Sequence, residues 1–303
     1  MKLLLVMNPG SRSGRGRRLW PAWERGLRAA GVAFDQVATA RPGHAFELAR
    51  AAKGVDAVVA VGGDGTINEV LDGVVAGGDP GLGLAVLYSG TSPDFCRFHG
   101  IPLDPAAAVA SLVDSPARAV DVVRATFRSA DGSARTAHFG CSLNVGLGAS
   151  VARLANRWRR YAGDAAGTGA AVVASILAAR PPDLEVTVDG ERTVLRRVNN
   201  LSIVKNPHLA SGLRLDLDLG PADGSLYVVA VCGRSPAGML GLVPGFYTGR
   251  VVDAPGVFVR RCREVTVASA DRCEVEFDGD PRGFLPVRAG ILPRGLRLLG
   301  GSR

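Results

Sequence analysis

The chain has 303 residues, 47% of them hydrophobic, and a formal net charge of +8. This length fits one large domain or two, and the hydrophobic fraction can build ordinary cores, which excludes a largely disordered chain. Five cysteines with no C-x-x-C pair disfavour a secreted disulfide framework and a zinc ribbon. The most apolar stretch, residues 169–179, is too short to span a bilayer, so we expect a cytoplasmic protein. The basic excess favours an anionic partner, either nucleic acid or an anionic membrane surface.

The first part of the chain alternates apolar runs with segments of helical spacing. The runs that predict strands are residues 3–7, 32–39, 55–61 and 82–88, of which 3–7 and 55–61 are expected to be buried. The segments that predict helices are residues 17–30, 44–53, 66–77 and 102–113. Strand and helix in alternation are typical of a doubly wound α/β domain with a parallel sheet.

The pattern changes near residue 121 to alternating runs around Asp-Gly turns, the strongest local signal of a β-hairpin. The hairpin candidates are residues 121–142, 184–204 and 273–290. Helical insertions are predicted near 149–180 and 235–248. We therefore expect an α/β domain over 1–122 and an antiparallel β domain over 123–290. For the final segment, 291–303, we expect a C-terminal strand that returns to the first domain, although its run at 295–300 fits either domain.

Three glycine-rich loops follow predicted strands of the first domain. They read NPGSRSGRG (8–16), GGDGT (62–66) and SGTSPDF (89–95). The carboxyl ends of parallel strands share one edge of a sheet, where open α/β sheets bind ligands. Glycine lets backbone N–H groups approach phosphate oxygens, and the following helix N-terminus favours negative charge. No loop is a Walker A or G-x-G-x-x-G motif, yet together they predict nucleotide or phosphate binding.

Some of these loop residues also have local explanations. Asp64 in GGDGT suits a site where Mg²⁺ or an acceptor hydroxyl separates it from phosphate, although Asp is also a common turn residue. Thr66 and Glu69 have the spacing of a capping box for the next helix. Ser92 suits an N-cap, Pro93 a first helical position and Asp94 a first turn.

The ordered set of motifs resembles the diacylglycerol kinase catalytic-domain family, which includes bacterial soluble lipid kinases, sphingosine kinases and ceramide kinases. GGDGT alone is shared with NAD kinases and phosphofructokinases, but the full set is more specific. Its members are NPGSRSGRG, GGDGTINEV (62–70), SGTSPDFCRFHGIP (89–102), FGCSLNVGLGA (139–149), GPADGSLYVV (220–229) and EFDGDPRGFLPVRAGILP (276–293).

The resemblance implies an ATP- and Mg²⁺-dependent kinase acting on a lipid hydroxyl, with diacylglycerol as the first candidate and phosphatidic acid as its product. The implied fold is an α/β nucleotide-binding domain followed by an antiparallel β-sandwich domain, with the active site in the cleft between them. The implied nucleotide contacts are Asn8, Pro9, Gly10, Ser11, Arg12, Thr39, Gly62, Gly63, Asp64, Gly65, Thr66, Asn68, Glu69, Gly90 and Thr91.

Two turns late in the chain carry further implied roles. Bacterial members hold a structural Mg²⁺ at a D-G-x-L-like turn, which here implies the Asp223 side chain with carbonyls of Gly220 and Ser225. An ordinary Asp-Gly hairpin turn explains Asp223 equally well.

The family's catalytic D-G-E turn reads Asp278-Gly279-Asp280 here. Asp280 is one methylene shorter than Glu, and a misplacement of about 1 Å matters for rate. Either Asp280 or Asp278 would accept the hydroxyl proton, with Asp64 also in the catalytic set. A second departure is Ser92-Pro93, where many members have Asn before Asp.

A lipid kinase must reach a bilayer, so we expect a lipid substrate at the membrane surface and peripheral membrane association. The basic and aromatic segment 154–163 suits an interfacial helix, and a solvated helix face explains it equally well. Homodimer formation stays open.

The alternatives to a lipid kinase are an NAD kinase-like or sugar kinase and a catalytically weak nucleotide- or lipid-binding regulator. Nucleic-acid binding is disfavoured because few aromatic residues are available for stacking.

Overall fold

The computed structural model describes residues 1–147, 164–209, 212–278 and 280–302, together with the isolated positions 151, 154 and 158. Its first unit is a parallel sheet with strand order β2, β1, β3, β4. The strands are β1 (Lys2–Met7), β2 (Ala33–Ala38), β3 (Ala57–Gly62) and β4 (Gly83–Tyr88). Every residue of β3 and β4 is buried, as expected for strands covered on both faces.

Helices cover both faces of this sheet, which confirms the doubly wound α/β prediction. The helices are α1 (Arg15–Ala29), α2 (His44–Ala51), α3 (Asp64–Gly77), α4 (Asp94–His99) and α5 (Pro105–Asp114). Apolar side chains of α1 and α5 share one core, and those of α2 and α3 share another. The loops at the carboxyl ends of β1, β3 and β4 therefore lie along one edge.

The capping box expected at the start of α3 is wrong. Thr66 lies inside the first turn, and the N-cap residue is Gly63, which receives no side-chain hydrogen bond. The Glu69 carboxylate instead accepts hydrogen bonds from Gly43 N (2.9 Å) and Ala45 N (3.2 Å) at the start of α2. A carboxylate there satisfies free N–H groups and complements the positive end of the helix dipole. Glu69 therefore caps the neighbouring helix.

The start of α4 also differs by one residue from its prediction. The N-cap position is Pro93 and not Ser92, and no side chain caps it. The Ser92 hydroxyl donates to Asp94 Oδ2 (2.6 Å), which lies in the first turn as predicted. The hydroxyl is thereby turned to the carboxylate and away from the free N–H groups.

The second unit is antiparallel β-structure, and the predicted Asp-Gly hairpins β5–β6, β8–β9 and β16–β17 are confirmed. Its strands are β5 (Arg118–Arg128), β6 (Ala134–Phe139), β7 (Ser142–Gly146), β8 (Leu184–Val188), β9 (Glu191–Leu195), β10 (Val198–Val204), β11 (His208–Leu209), β12 (Leu213–Arg214), β13 (Leu226–Cys232), β14 (Val257–Cys262), β15 (Glu264–Ala268), β16 (Glu274–Phe277) and β17 (Asp280–Leu298). A large apolar core of inward-facing valines, leucines and phenylalanines lies between these strands. This arrangement is the expected sandwich-type second domain.

Helical segments of the second unit are α6 (Asp164–Ala178), α7 (Pro236–Gly241) and α8 (Val243–Thr248). Among the described residues, no helix combines the length and the hydropathy needed to cross a bilayer. The predicted interfacial segment 154–163 falls outside the described residues except at Leu154 and Trp158.

The long strand β17 joins the two units. Its first part pairs antiparallel with β16, and later parts pair with β15 and β5. Its last residues pair parallel with β4, Arg297 opposite Gly83 and Leu298 opposite Leu84. The sheet thus runs continuously from β7 through β16 and β17 into β4. This continuity brings the turn between β16 and β17 to the glycine-loop edge of the first sheet.

Candidate active site

A cavity of about 500 Å³ opens at the carboxyl edge of the parallel sheet. It collects residues from the first and second glycine loops, from the loop after β2, and from the start of β17. The lining residues are Asn8, Pro9, Gly10, Ser11, Thr39, Ala40, Arg41, Pro42, Ala45, Gly63, Gly65, Thr66, Glu69 and Asp280. Ten of these were predicted from the sequence, and residues distant along the chain thus form one polar cavity.

The second and third glycine loops touch through their backbones. A Cβ on Gly63 would lie 3.0 Å from Gly90 Cα, and a Cβ on Gly90 would overlap Gly63 Cα and lie 2.6 Å from the Tyr88 hydroxyl. Only glycine at both positions allows this approach. The contact sets the position of the N-terminus of α3, whose free N–H groups favour an anion.

Polar side chains tie the first loop to the other two. Asn8 Nδ2 donates to Thr66 Oγ1 (3.0 Å), while Asn8 Oδ1 accepts from Gly10 N (3.0 Å). The Ser11 hydroxyl donates to Ser89 O (3.4 Å), and the Arg15 guanidinium donates to Gly90 O (3.4 Å). The first two loops therefore form one connected wall of the cavity, and the third loop supports that wall from behind.

Asp280 supplies the carboxylate of the second unit that faces this wall. A Cβ on Gly65 would lie 3.1 Å from Asp280 Oδ2, so the carboxylate sits directly against the GGDGT loop. No described residue donates a hydrogen bond to it. Burial raises the pKa of Asp280 above its ordinary value, an effect that Arg282 opposes and Glu69 reinforces. A raised carboxyl pKa is what a general base near neutral pH requires.

Asp278, the other acid of the turn, is held by protein donors. Its Oδ1 accepts from Ser142 N (2.7 Å), and its own N–H donates to Ser142 O (3.0 Å). With the Asn68 amide oriented to satisfy both of its ends, Asn68 Nδ2 donates to Asp278 Oδ2 (3.1 Å). Asp278 is not a lining residue, and its φ of 49° is left-handed backbone that Asp tolerates. Burial raises its pKa well above the ordinary value.

A buried pair fixes α3 against the second unit. The Asp72 carboxylate on α3 accepts hydrogen bonds from His138 N and His138 Nδ1, both at 2.9 Å. Together with the Asn68–Asp278 contact, this pair docks β6 and the β16–β17 turn on α3. The distance between Asp280 and the glycine loops is set by these contacts.

Asp64 points away from the cavity, toward α4. Its Oδ2 accepts from the Tyr88 hydroxyl (2.9 Å) and its Oδ1 from Phe95 N (3.3 Å). Burial raises the pKa of Asp64 to about 6, and the Asp94 charge adds to this, while the Phe95 and Tyr88 hydrogen bonds oppose it. Asp64 therefore links the second loop to the third instead of facing the ligand space.

We expect Asp64→Asn to stabilise the fold at pH 8. The unfolded chain holds an Asp proton with a pKa near 3.9, so a folded pKa of about 6 means that ionised Asp64 lowers the free energy of unfolding above that pH. Two factors of ten in proton affinity, at about 1.4 kcal/mol each, amount to about 3 kcal/mol. Asparagine weakens the hydrogen bonds from Tyr88 and Phe95, at about 0.5–1.5 kcal/mol each, so we expect a net gain of about 1–2 kcal/mol. Urea unfolding of the variant and the wild type at pH 4, 6 and 8 measures the difference in their free energies of unfolding. The gain should shrink toward pH 4, and a pH-independent difference would contradict the assignment.

Several residues at the site were missed by sequence reasoning. Arg41 lines the cavity and forms a two-oxygen ion pair with Glu47 (2.8 and 2.7 Å). His44 Nδ1 accepts from Ala40 N (3.0 Å), which orders the same loop. An arginine next to a strand-end Thr could have suggested a phosphate contact for Arg41. No local signal indicated that Tyr88, the last residue of β4, would orient Asp64.

Seven of the residues predicted to be catalytic or to bind nucleotide do not line the cavity. Gly62 and Gly90 are buried, and Asn68 and Asp278 bind each other behind the cavity wall. The full set is Arg12, Gly62, Asp64, Asn68, Gly90, Thr91 and Asp278. Arg12 and Thr91 are exposed.

The oxygens predicted to bind a structural Mg²⁺ are occupied by a lysine. The buried Lys205 Nζ donates to Asp223 Oδ1 (2.7 Å), Gly220 O (2.9 Å) and Ser225 O (3.0 Å). It also donates to Asp121 Oδ2 (3.0 Å). These residues therefore do not fit a magnesium ion, because an ammonium already lies among their oxygens.

A glycine-rich loop edge with a half-buried carboxylate beside it is the arrangement that a kinase-type phosphotransfer site requires. The diacylglycerol kinase catalytic domain model matches residues 2–125, and the YegS C-terminal NAD kinase beta sandwich-like domain model matches residues 141–300. The chain belongs to the family of diacylglycerol kinase and YegS-like lipid kinases, and it is a lipid kinase enzyme.

Individual relatives agree with this family. A diacylglycerol kinase of Mycobacterium tuberculosis is 28% identical over 83% of this chain and 79% of its own length. A YegS-like lipid kinase of Pseudomonas aeruginosa is 31% identical over 82% of this chain and 77% of its own length. A crystal structure of a Bacillus anthracis protein assigned as a diacylglycerol kinase superposes with a TM-score of 0.76 at 20% identity, covering 99% of this chain and 97% of its own. That last likeness supports the fold.

Proposed function

We propose that this enzyme transfers the γ-phosphoryl group of ATP to the free hydroxyl of diacylglycerol, giving phosphatidic acid and ADP. The observation that carries the proposal is the Asp280 carboxylate facing Gly65 at the second glycine loop. A proton acceptor and a phosphate cradle then border the same space, which is the minimum that in-line transfer to a hydroxyl needs.

In the proposed step, the oxygen of the lipid hydroxyl attacks the γ-phosphorus while Asp280 accepts the proton of that hydroxyl. The bond from that phosphorus to the bridging oxygen breaks, and ADP keeps its electron pair. Backbone N–H groups at the start of α3 and in the first loop would bind phosphate oxygens. Positioning and electrostatics supply the rate enhancement, since no covalent intermediate with a side chain is required.

Asp278 and Asp64 act as positioning residues in this proposal. Asp278 anchors the turn to Ser142 and Asn68, and so sets the place of Asp280. Asp64 bridges Tyr88 and Phe95, and so holds the second glycine loop against the third.

Magnesium fits this site as an ion carried by the nucleotide. In the part of the chain that the structure describes, no three carboxylate, histidine or cysteine side chains cluster as a metal cage. Mg²⁺ commonly binds through substrate phosphates with one or two carboxylates, and the Glu69 carboxylate faces the cavity. When bound, the ion would neutralise charge on the phosphate oxygens.

We also propose that the enzyme works at a membrane surface, because diacylglycerol resides in bilayers. The net charge of +8 supports attraction to anionic lipid. Flotation with vesicles that contain or lack anionic lipid tests this. Equal binding to both would contradict a charge-based association.

The function is tested by incubating the protein with γ-labelled ATP, Mg²⁺ and detergent micelles that contain one acceptor each. The acceptors are diacylglycerol, monoacylglycerol, sphingosine and ceramide, with NAD in a parallel reaction. Label recovered as phosphatidic acid supports the proposal. Label in another lipid but not in phosphatidic acid would contradict diacylglycerol as the acceptor. Label in NAD alone would overturn the lipid-kinase mechanism.

A further inference from the structure

The buried Lys205 is the centre of a charged cluster outside the active-site cavity. Its side chain is 1% exposed, and four oxygen atoms lie between 2.7 and 3.0 Å from Nζ. Two belong to carboxylates, of Asp121 and Asp223, and two are backbone carbonyls. A buried ammonium is stable only when it is paired and its donors are satisfied, and both conditions hold here.

The carboxylates of the cluster are also fully engaged. Asp223 Oδ2 accepts from Gly220 N (2.9 Å) and pairs with the Arg261 guanidinium (3.3 Å). Asp121 Oδ2 accepts from Gly224 N (2.8 Å), and Asp121 Oδ1 accepts from Arg294 N (2.8 Å). The two carboxylates at Nζ thus face two side-chain cations, and Arg261 is shared with the exposed Asp218 carboxylate (3.6 Å). The buried part of the cluster therefore balances its charge without an added ion.

The geometry suits an ammonium and not a divalent ion. Distances of 2.7–3.0 Å are those of charge-assisted N–H···O bonds, whereas Mg²⁺ requires oxygens at about 2.0–2.1 Å. An ammonium is a compact point charge, while guanidinium is a planar fork that cannot place its charge among four converging oxygens. Of the 36 basic residues only three are lysines, so a lysine at this buried position is notable in an arginine-rich chain.

The cluster holds parts of both units together. Lys205 directly follows β10, and Asp121 lies on β5. The backbone N–H of Asp121 donates to Pro221 O (2.8 Å). The next residue, Asn206, donates to Asp94 O (2.9 Å) at the start of α4. Loss of the central charge would therefore loosen the 220–225 turn, β17 and the support of the third glycine loop.

We propose that the Lys205 ammonium replaces a structural divalent cation in this protein, so that the second unit is held together without a bound metal. The cation is covalently attached and always present, so this part of the fold does not respond to free Mg²⁺. The proposal is independent of the acceptor that the enzyme phosphorylates.

The first test measures the thermal unfolding of the wild-type protein without nucleotide, in EDTA and in millimolar Mg²⁺ or Ca²⁺, together with its metal content by mass spectrometry. We expect the same Tm in all three conditions and no stoichiometric metal after refolding in chelator. A Tm that falls on chelation, or a retained metal that Asp223→Asn removes, would overturn the proposal.

The second test converts the cluster into a cation site. Lys205→Ala leaves Asp121, Asp223 and two carbonyls around an empty space, so we expect its Tm in EDTA to lie about 10 °C below wild type. Millimolar Mg²⁺ or Ca²⁺ should restore much of this loss, since a ligand that binds only the folded state stabilises it. Absence of rescue by either ion in a folded variant counts against the proposal.

Two further variants make the test specific. Lys205→Ala combined with Asp223→Asn removes a ligand of the created site, so cation rescue should disappear. Lys53→Ala removes an exposed lysine and controls for the lost charge, so its Tm should match wild type with and without cation. If Lys205→Ala does not fold in any condition, the wild-type measurement decides alone.

Discussion

Replacing Asp280 with Asn should lower kcat/KM for lipid phosphorylation by about 100-fold or more, the usual contribution of a general base. Asparagine keeps the size of the side chain but cannot accept the hydroxyl proton. Because no described residue hydrogen bonds to this carboxylate, the substitution should leave the fold and the nucleotide affinity nearly unchanged. Initial rates with diacylglycerol micelles, and ATP binding by calorimetry, measure the two effects separately.

Matched variants distinguish the proton acceptor, Asp280, from Asp278, which holds the turn in position. Asp280→Glu restores a proton acceptor with a longer reach and should retain far more activity than Asp280→Asn. Asp278→Asn removes a carboxyl whose pKa burial raises but weakens the bonds to Ser142 N and Asn68, so we expect its thermal stability to change less than its activity, which depends on the position of the turn. Wild-type kcat/KM should fall at acid pH as Asp280 takes up its proton, at a pH above the ordinary Asp range because its pKa is raised. Full activity in Asp280→Asn would show that another group accepts the proton.

Gly90→Ala should damage the phosphate site more than its small size suggests. The added Cβ would overlap Gly63 Cα and lie 2.6 Å from the Tyr88 hydroxyl, so the second and third loops must separate. Overpacking of this kind costs about 1–3 kcal/mol of stability. A displacement of about 1 Å at reacting groups can cost about 100-fold in rate, so we expect a loss of that size in kcat/KM.

The matched control for this variant is Gly241→Ala. Gly241 lies at the end of α7, where no described atom lies within 4 Å of the added Cβ. We expect wild-type activity and equal or slightly higher stability, since alanine favours helix. Equal activity in Gly90→Ala and Gly241→Ala would refute the close approach of the two loops as a requirement for phosphate binding.

Local patterns were sufficient for the elements of the first unit. The buried run at 55–61 and the helical spacing at 66–77 gave β3 and α3 with errors of two residues at most. The errors arose where tertiary contacts replaced local ones. Glu69 has the right spacing to cap its own helix, but the packing of α3 beside α2 places its carboxylate at the N–H groups of Gly43 and Ala45.

The site was predictable where a motif is contiguous. The glycine loops are read from neighbouring residues, because a strand, a glycine turn and a helix start follow one another along the chain. Asp64 shows that a contiguous motif does not predict the direction in which a side chain points. Its position in GGDGT suggests a ligand-facing acid, but the direction of its side chain depends on Tyr88 and Phe95, which belong to the next strand and helix.

By itself, the sequence determined the doubly wound sheet, the hairpins, the edge at which the glycine loops lie and the family. Only the tertiary structure decided that Asp280 faces Gly65 and that Lys205 lies among the oxygens of Asp121, Asp223, Gly220 and Ser225. The physical reason is that secondary structure and turn chemistry are set by residues a few positions apart. The charge balance of a buried cluster depends instead on groups that meet only when β5, β10 and β17 pack together.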